Sequence, residues 1–382
     1  MKKIVSVVLA VIMLLSVAAF AEGEYRVAMI TDYGDITDQS FNQTTYEACT
    51  AYCEAEGIDF TYYKPNGDST ADRVAMVEKA DDEGYNVIVM PGYAFGGTIV
   101  EVAEEYPDIS FIALDVAKGD LLEAAVGNAG QEYDYNPDNW NLDDYVDISN
   151  VYCAVYHEEL CGYMAGYAAV KLGYTHLGFL GGMAVPAVVR YGFGFVQGAN
   201  AAAEALGNAS DVVIEYVYGN QFYGDADLTA YMDNWYQNLG VQCVFACGGG
   251  IFTSAGEAAA KVGGKVIGVD TDQAAIIDGQ YGEGITVTSA MKGLAATVDT
   301  LLAKTIAGEF QGGVIETLGL VGEDPAANYV QLAGSTQFGE GFTEDDYKAL
   351  VAAMFNGDVT VSDSIDAMPE TAITVNDLGT VK

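Results

Sequence analysis

From residue 25 onward, short apolar runs rich in Val and Ile alternate with longer stretches of helical period. The runs at 25–30, 58–63, 86–90 and 109–114 lack the apolar–polar alternation of a half-exposed strand, so they predict strands covered on both faces. Helices are expected between them over 40–56, 70–83 and about 96–105. Strand–helix alternation implies right-handed βαβ units and a parallel sheet. The rhythm breaks over 119–150, a polar and aromatic stretch around Tyr133, Tyr135, Asn136, Pro137 and Trp140 that reads as an insertion loop. It then restarts: strands at 150–155, 176–180, 211–217, 242–246 and 265–269, with helices at 157–171, 188–206, 225–239 and 252–262. Late pieces follow as a strand at 284–289, a helix at 292–308 and a strand at 328–332.

Two such runs predict an α/β protein with two doubly wound parallel-sheet lobes and a hinge that the chain crosses several times. The first lobe is expected to hold 22–152 with about 275–322, and the second 153–274 with about 323–382. A chain of 382 residues also exceeds what one core usually serves. Ligands in such folds sit at the carboxyl ends of the strands, where a hinge makes a closable cleft.

Composition sharpens this picture at three points. Lys2 and Lys3 precede an apolar run over 4–17, and Ala19-Phe20-Ala21 gives the small-x-small pattern of a cleavage site. Residues 1–21 are therefore expected to be a signal peptide cut near Ala21, which places the mature protein outside the cytoplasm. The first cysteine is Cys49, so no lipid-attachment cysteine is expected beside the cut. With 55 acidic against 15 basic residues, the net charge of -40 argues against nucleic acid as a partner, because phosphate binding needs clustered Lys and Arg. The six cysteines form close pairs, Cys49 with Cys53, Cys153 with Cys161 and Cys243 with Cys247, none at C-x-x-C spacing. They suit small buried apolar positions, with Cys153–Cys161 the local pair that could bridge.

The loop after the first strand, Thr31 to Gln43, holds neither a G-x-G-x-x-G fingerprint nor a phosphate loop. It offers carboxylates, an amide and aromatic rings, which suit a neutral ring with mixed polar edges. Asp38-Gln39-Ser40-Phe41-Asn42-Gln43 resembles the D-x-S-F-N-Q signature of the basic membrane protein family, the PnrA-like nucleoside-binding proteins of ABC transporters. The resemblance continues through Phe111–Asp115, Gly162–Ala169, Leu177–Gly182, Gly248–Gly250, Ile267–Gln273 and Thr288–Lys292, in order along nearly the whole mature chain.

That resemblance implies a type I periplasmic-binding-protein-like fold, a purine-type nucleoside as ligand, no cofactor, a membrane permease as partner and action as a monomer. By position it implies that Asp38 and Asn42 meet the polar edge of the base and that Phe222 stacks on it, with Phe41 or Tyr46 as the opposite wall. Asp115, Gly249, Asp270 and Lys292 correspond to the groups that hold base or ribose. Each residue also has a plainer reading. Asp38 suits a helix cap, Phe222 a core aromatic and Gly249 a tight turn. Two features depart from the family: the missing lipid-attachment cysteine, and the long 119–150 loop, which could alter access to the cleft. A sugar, a quorum signal or another small polar ligand fits the same fold. An enzyme acting on nucleosides fits less well, since His157 and His176 are far apart and no G-x-S-x-G or H-E-x-x-H motif occurs.

Overall fold

The computed structural model describes residues 25–381; the expected signal peptide and its cleavage point lie outside the described residues. The chain runs β1 (Arg26–Ile30), α1 (Phe41–Glu56), β2 (Asp59–Tyr63), α2 (Thr70–Asp82), β3 (Val87–Pro91), α3 (Phe95–Val102), β4 (Ser110–Leu114), α4 (Lys118–Asn128) and β5 (Val151–Tyr156). It continues through α5 (Glu158–Lys171), β6 (His176–Gly181), α6 (Pro186–Leu206), β7 (Val213–Tyr218), α7 (Ala226–Asn234), β8 (Cys243–Cys247), α8 (Phe252–Ala260), β9 (Lys265–Asp270) and α9 (Ala274–Tyr281). The last elements are β10 (Thr286–Lys292), α10 (Leu294–Ile306), β11 (Val314–Leu318), β12 (Val330–Leu332), α11 (Glu344–Phe355) and β13 (Thr374–Thr380).

Two sheets result, ordered β11-β5-β4-β3-β1-β2 and β12-β10-β9-β8-β6-β7-β13, and every pairing is parallel except β10 with β12. The central strands β3, β5 and β8 are buried along their whole length, which is why their sequences show no alternation.

The lobe boundaries differ from the sequence expectation. Residues 275–292 lie with the second lobe, because β10 pairs with β9 there. The chain crosses to the first lobe only after Lys292, where α10 packs on α1 and β11 pairs with β5. It also crosses at 156–158 and between β11 and β12, so three strands form the hinge. The 119–150 stretch differs too. Its first part is helix α4, and Tyr133, Leu142, Val146 and Ile148 are buried in the first lobe's core, anchored further by Lys118 Nζ donating to the Pro137 carbonyl. All six cysteines are free and buried.

Helices α5 and α6 meet backbone to backbone. A methyl group at Gly194 would run into the Glu159 carbonyl, and one at Gly198 into that of Tyr163. That contact fixes the second lobe's helices directly behind the hinge. Among the described residues no helix is long and apolar enough to cross a membrane.

Candidate functional site

A cavity of about 710 Å³ opens between the lobes at the carboxyl ends of both sheets. Eight of the nine residues singled out from sequence line it: Asp38, Phe41, Asn42, Asp115, Phe222, Gly249, Asp270 and Lys292. Tyr46 does not. It packs on Phe60 and Tyr62, with ring centroids 5.8 and 5.6 Å away. Only the first turn of α1 reaches the strand ends, and Tyr46 lies five residues into the helix, about 7 Å further down its axis. No residue from 121 to 150 lines the cleft, so the long loop does not cover it.

Phe41, one of the two expected opposite walls, lines the cleft with Lys292 Nζ 5.2 Å from its ring centroid, and Tyr33, which the sequence reading passed over, faces Phe222. The two rings are near parallel, 17° apart, with centroids separated by 6.4 Å, and they come from different lobes. The Tyr33 hydroxyl bonds that of Tyr93 at 3.0 Å, which fixes its ring. Phe222 sits over glycines: side chains at Gly182 or Gly248 would collide with its ring, and one at Gly249 would meet its carbonyl oxygen at 2.6 Å. Gly249 has φ of 53°, so the turn and the close approach both call for glycine.

At the other end lies a chain of buried charges. Lys292, the last residue of β10, pairs with Asp115 from the end of β4 and lies 3.1 Å from Glu158 Oε1. Glu158, the first residue of α5, accepts from Arg190 Nε at 2.6 Å through its other oxygen. Burial opposes the Lys292 charge, but Asp115, Glu158 and Asp270 hold its pKa above the usual lysine value. Burial likewise raises Glu158, yet Arg190 and Lys292 more than offset it, and its carboxyl stays below the ordinary range. Asp115 and Asp270 are both pushed up by desolvation, partly countered by Lys292. Asp270 Oδ2 accepts from Ser40 Oγ across the lobes at 2.6 Å. Asp115 and Asp270 occupy the left-handed region, with φ of 61° and 65°. Backbone held there costs energy and is retained mainly where it aims a side chain.

Asp38 lines the cleft with both carboxylate oxygens already accepting hydrogen bonds from the start of α1. Oδ1 accepts from the Ser40 and Gln43 N–H groups, and Oδ2 from the Asn42 N–H and Nδ2 groups, at 2.9 to 3.1 Å. The helix-capping reading therefore accounts for both its oxygens. Asn42 Oδ1, buried, has no hydrogen-bond partner among the described residues, and neither does Asp115 Oδ1. Sequence reasoning also missed Asp32, Asp120 and Arg190 in the lining. Burial raises Asp32 to about 6 and Asp120 to about 7, although Asp32 keeps backbone N–H contacts from Gly34 and Tyr33, and Asp120 one from Ala117. Arg190 had a signal: it is a lone cation in an apolar helix of a chain with 15 basic residues.

The cleft thus brings together aromatic rings from both lobes, hydrogen-bonding side chains and a cluster of buried charges. The ABC transporter nucleoside-binding protein BmpA of Lactococcus lactis subsp. cremoris (strain MG1363) is 26% identical over 317 residues, 78% of this chain and 79% of that one. An uncharacterized lipoprotein of Pyrococcus abyssi is 23% identical over 320 residues, 82% of this chain and 71% of its own length. Among solved structures, an ABC transporter solute-binding protein from Aeropyrum pernix K1 shares the fold with a TM-score of 0.63 at 21% identity, covering 89% of this chain and 87% of that one. A family profile for PnrA-like ABC transporter substrate-binding proteins matches residues 25–323, and its members are transporter components rather than enzymes. With that match over most of its length, the chain belongs to the Bmp family of PnrA-like ABC transporter substrate-binding proteins.

Proposed function

We propose that this protein captures a purine-type nucleoside outside the cytoplasm and presents it, lobes closed, to a membrane permease. The observation that carries the reading is the Tyr33–Phe222 pair. Its near-parallel rings, one from each lobe with centroids 6.4 Å apart, need part only slightly, to about 7 Å, for one planar base to stack on both. Base stacking of this kind is worth roughly 1–3 kcal/mol and tolerates different purines.

The ribose falls to Asp115, Asp270 and Lys292, where carboxylates accept from vicinal hydroxyls and the ammonium donates. Both basic residues of the lining, Lys292 and Arg190, are already ion-paired, while its acidic residues include Asp32, Asp38, Asp115, Asp120 and Asp270. That balance favours a neutral ligand over a phosphorylated one. Contacts from both lobes bind the closed form better than the open form, so ligand drives closure by differential affinity. The relative in Lactococcus lactis named as nucleoside-binding supports the same ligand class.

Calorimetry of the mature protein against nucleosides, free bases and sugars tests the reading. Nucleosides are expected to bind, with affinity lost in Phe222→Ala. Binding of a sugar with no nucleoside response would replace the ligand assignment.

A further inference from the structure

Asn42 is 7% exposed, lines the cleft, and leaves its Oδ1 without a partner among the described residues. Its Nδ2 is tied to Asp38 Oδ2 at 3.1 Å. An amide can in principle present either end, and the neighbours decide which. Turning this one over would set its oxygen against the Asp38 carboxylate. Asp38 cannot adapt, because backbone N–H groups of Ser40, Asn42 and Gln43 fix it as an acceptor.

We infer that Asp38 is a positioning residue which locks the Asn42 amide so that its carbonyl oxygen faces the ligand, making this edge of the cleft select a ring that offers an N–H donor. The inference rests on the nucleoside reading above and deepens it to a feature of the base: an exocyclic amino group or a lactam N–H. The surroundings are consistent. Asn42 abuts Gly34, the residue after the stacking Tyr33, and a methyl group on Gly34 would collide with Asn42 Nδ2. The lock therefore stands beside the aromatic pair. A site that hydrogen-bonds a ring N–H rejects the analogue lacking it, because a buried acceptor is left unpaired.

The test is a ratio. Calorimetric affinities are measured for inosine against 1-methylinosine and for adenosine against N6,N6-dimethyladenosine. Wild-type protein is expected to prefer the donor-bearing member of at least one pair by tenfold or more. In Asp38→Asn, the new amide nitrogen faces Asn42 and turns it over, so the ratio collapses toward one or inverts. Gly34→Ala keeps the Asp38 cap of α1 intact and displaces Asn42 Nδ2 directly; it is expected to lower the same ratio, which covers the case that Asp38→Asn fails to fold. A purely structural role for Asp38 would weaken all four ligands alike and leave the ratio unchanged. Nucleoside binding with an unchanged ratio in Gly34→Ala, or in a folded Asp38→Asn, overturns this inference alone. Absence of any nucleoside binding by the wild-type protein overturns the nucleoside reading and this inference with it.

Discussion

Glu158 Oε1 lies 3.1 Å from Lys292 Nζ while Oε2 accepts from Arg190 at 2.6 Å, so one fully buried carboxylate holds both basic residues of the cleft lining. Lys292 ends β10 and Glu158 begins α5, which makes this pair a tie between two of the three hinge crossings.

Removing one member of a buried ion pair strands its partner's charge, a loss of about 3–5 kcal/mol. Lys292→Met is therefore expected to lower stability by that order, because Glu158 and Asp115 both lose their ammonium. Denaturant unfolding monitored by circular dichroism measures it. An unchanged midpoint would mean that the charges relax into solvent.

The two-lobed architecture was readable because buried parallel strands such as β3 and β8 carry uninterrupted apolar runs. Elements on the surface left weaker marks. Edge strand β11 is Val-Ile-Glu-Thr-Leu with none of its residues buried, and β13 is mostly exposed and polar, so neither stood out from loop. The lobe boundary near 292 was misjudged because strand pairing, which puts β10 beside β9, is a long-range property that local periodicity does not encode. In the cleft, motif residues were found and their partners were not. Tyr33 lay inside the very loop that was read, but its pairing with Phe222 depends on how two lobes meet. Tyr46 fell on the wrong side because helix α1 turns it toward β2.

Helices α5 and α6 touch so closely at Gly194 that an added methyl meets the Glu159 backbone rather than a movable side chain. Overpacking of this kind typically costs 1–3 kcal/mol. Gly194→Ala should fall near or above the top of that range. Gly207→Ala is the contrast for added volume, since open space surrounds that residue, although its φ of 72° brings its own smaller backbone cost. Thermal unfolding of the two variants should separate them, with Gly194→Ala melting lower.

Asp120 gives a pH-dependent effect whose sign follows from burial. Desolvation raises its carboxyl from 3.8 to about 7, so the folded state holds a proton that the unfolded state has released. Stability from this group is therefore lost as pH rises from about 4 to about 7. Asp120→Asn keeps an oxygen for the Ala117 N–H and removes the titration. Its melting temperature should match the wild type near pH 4 and exceed it by about 2 °C or more at pH 7.5. A constant difference between variant and wild type across that range would remove Asp120 as the titrating group.

The aromatic pair makes the sharpest prediction about binding, because its two rings belong to different lobes. Phe222→Ala and Tyr33→Ala should each weaken nucleoside affinity tenfold or more, in keeping with about 1–3 kcal/mol per stacked base. Phe222 is only partly buried and rests on glycines, so its loss should leave the fold intact. Tyr33→Phe separates stacking from the hydroxyl bond to Tyr93: it keeps the ring and should retain most of the affinity. Asp270→Ala should also lose tenfold or more, through the sugar edge and the Ser40 contact across the cleft. Its deficit should shrink for ligands without ribose hydroxyls, whereas that of Phe222→Ala should persist for every ligand that carries the base. Calorimetry with a nucleoside and its free base reads both patterns. Equal deficits for the two variants on both ligands would break the division of the cleft into a stacking end and a hydroxyl-reading end.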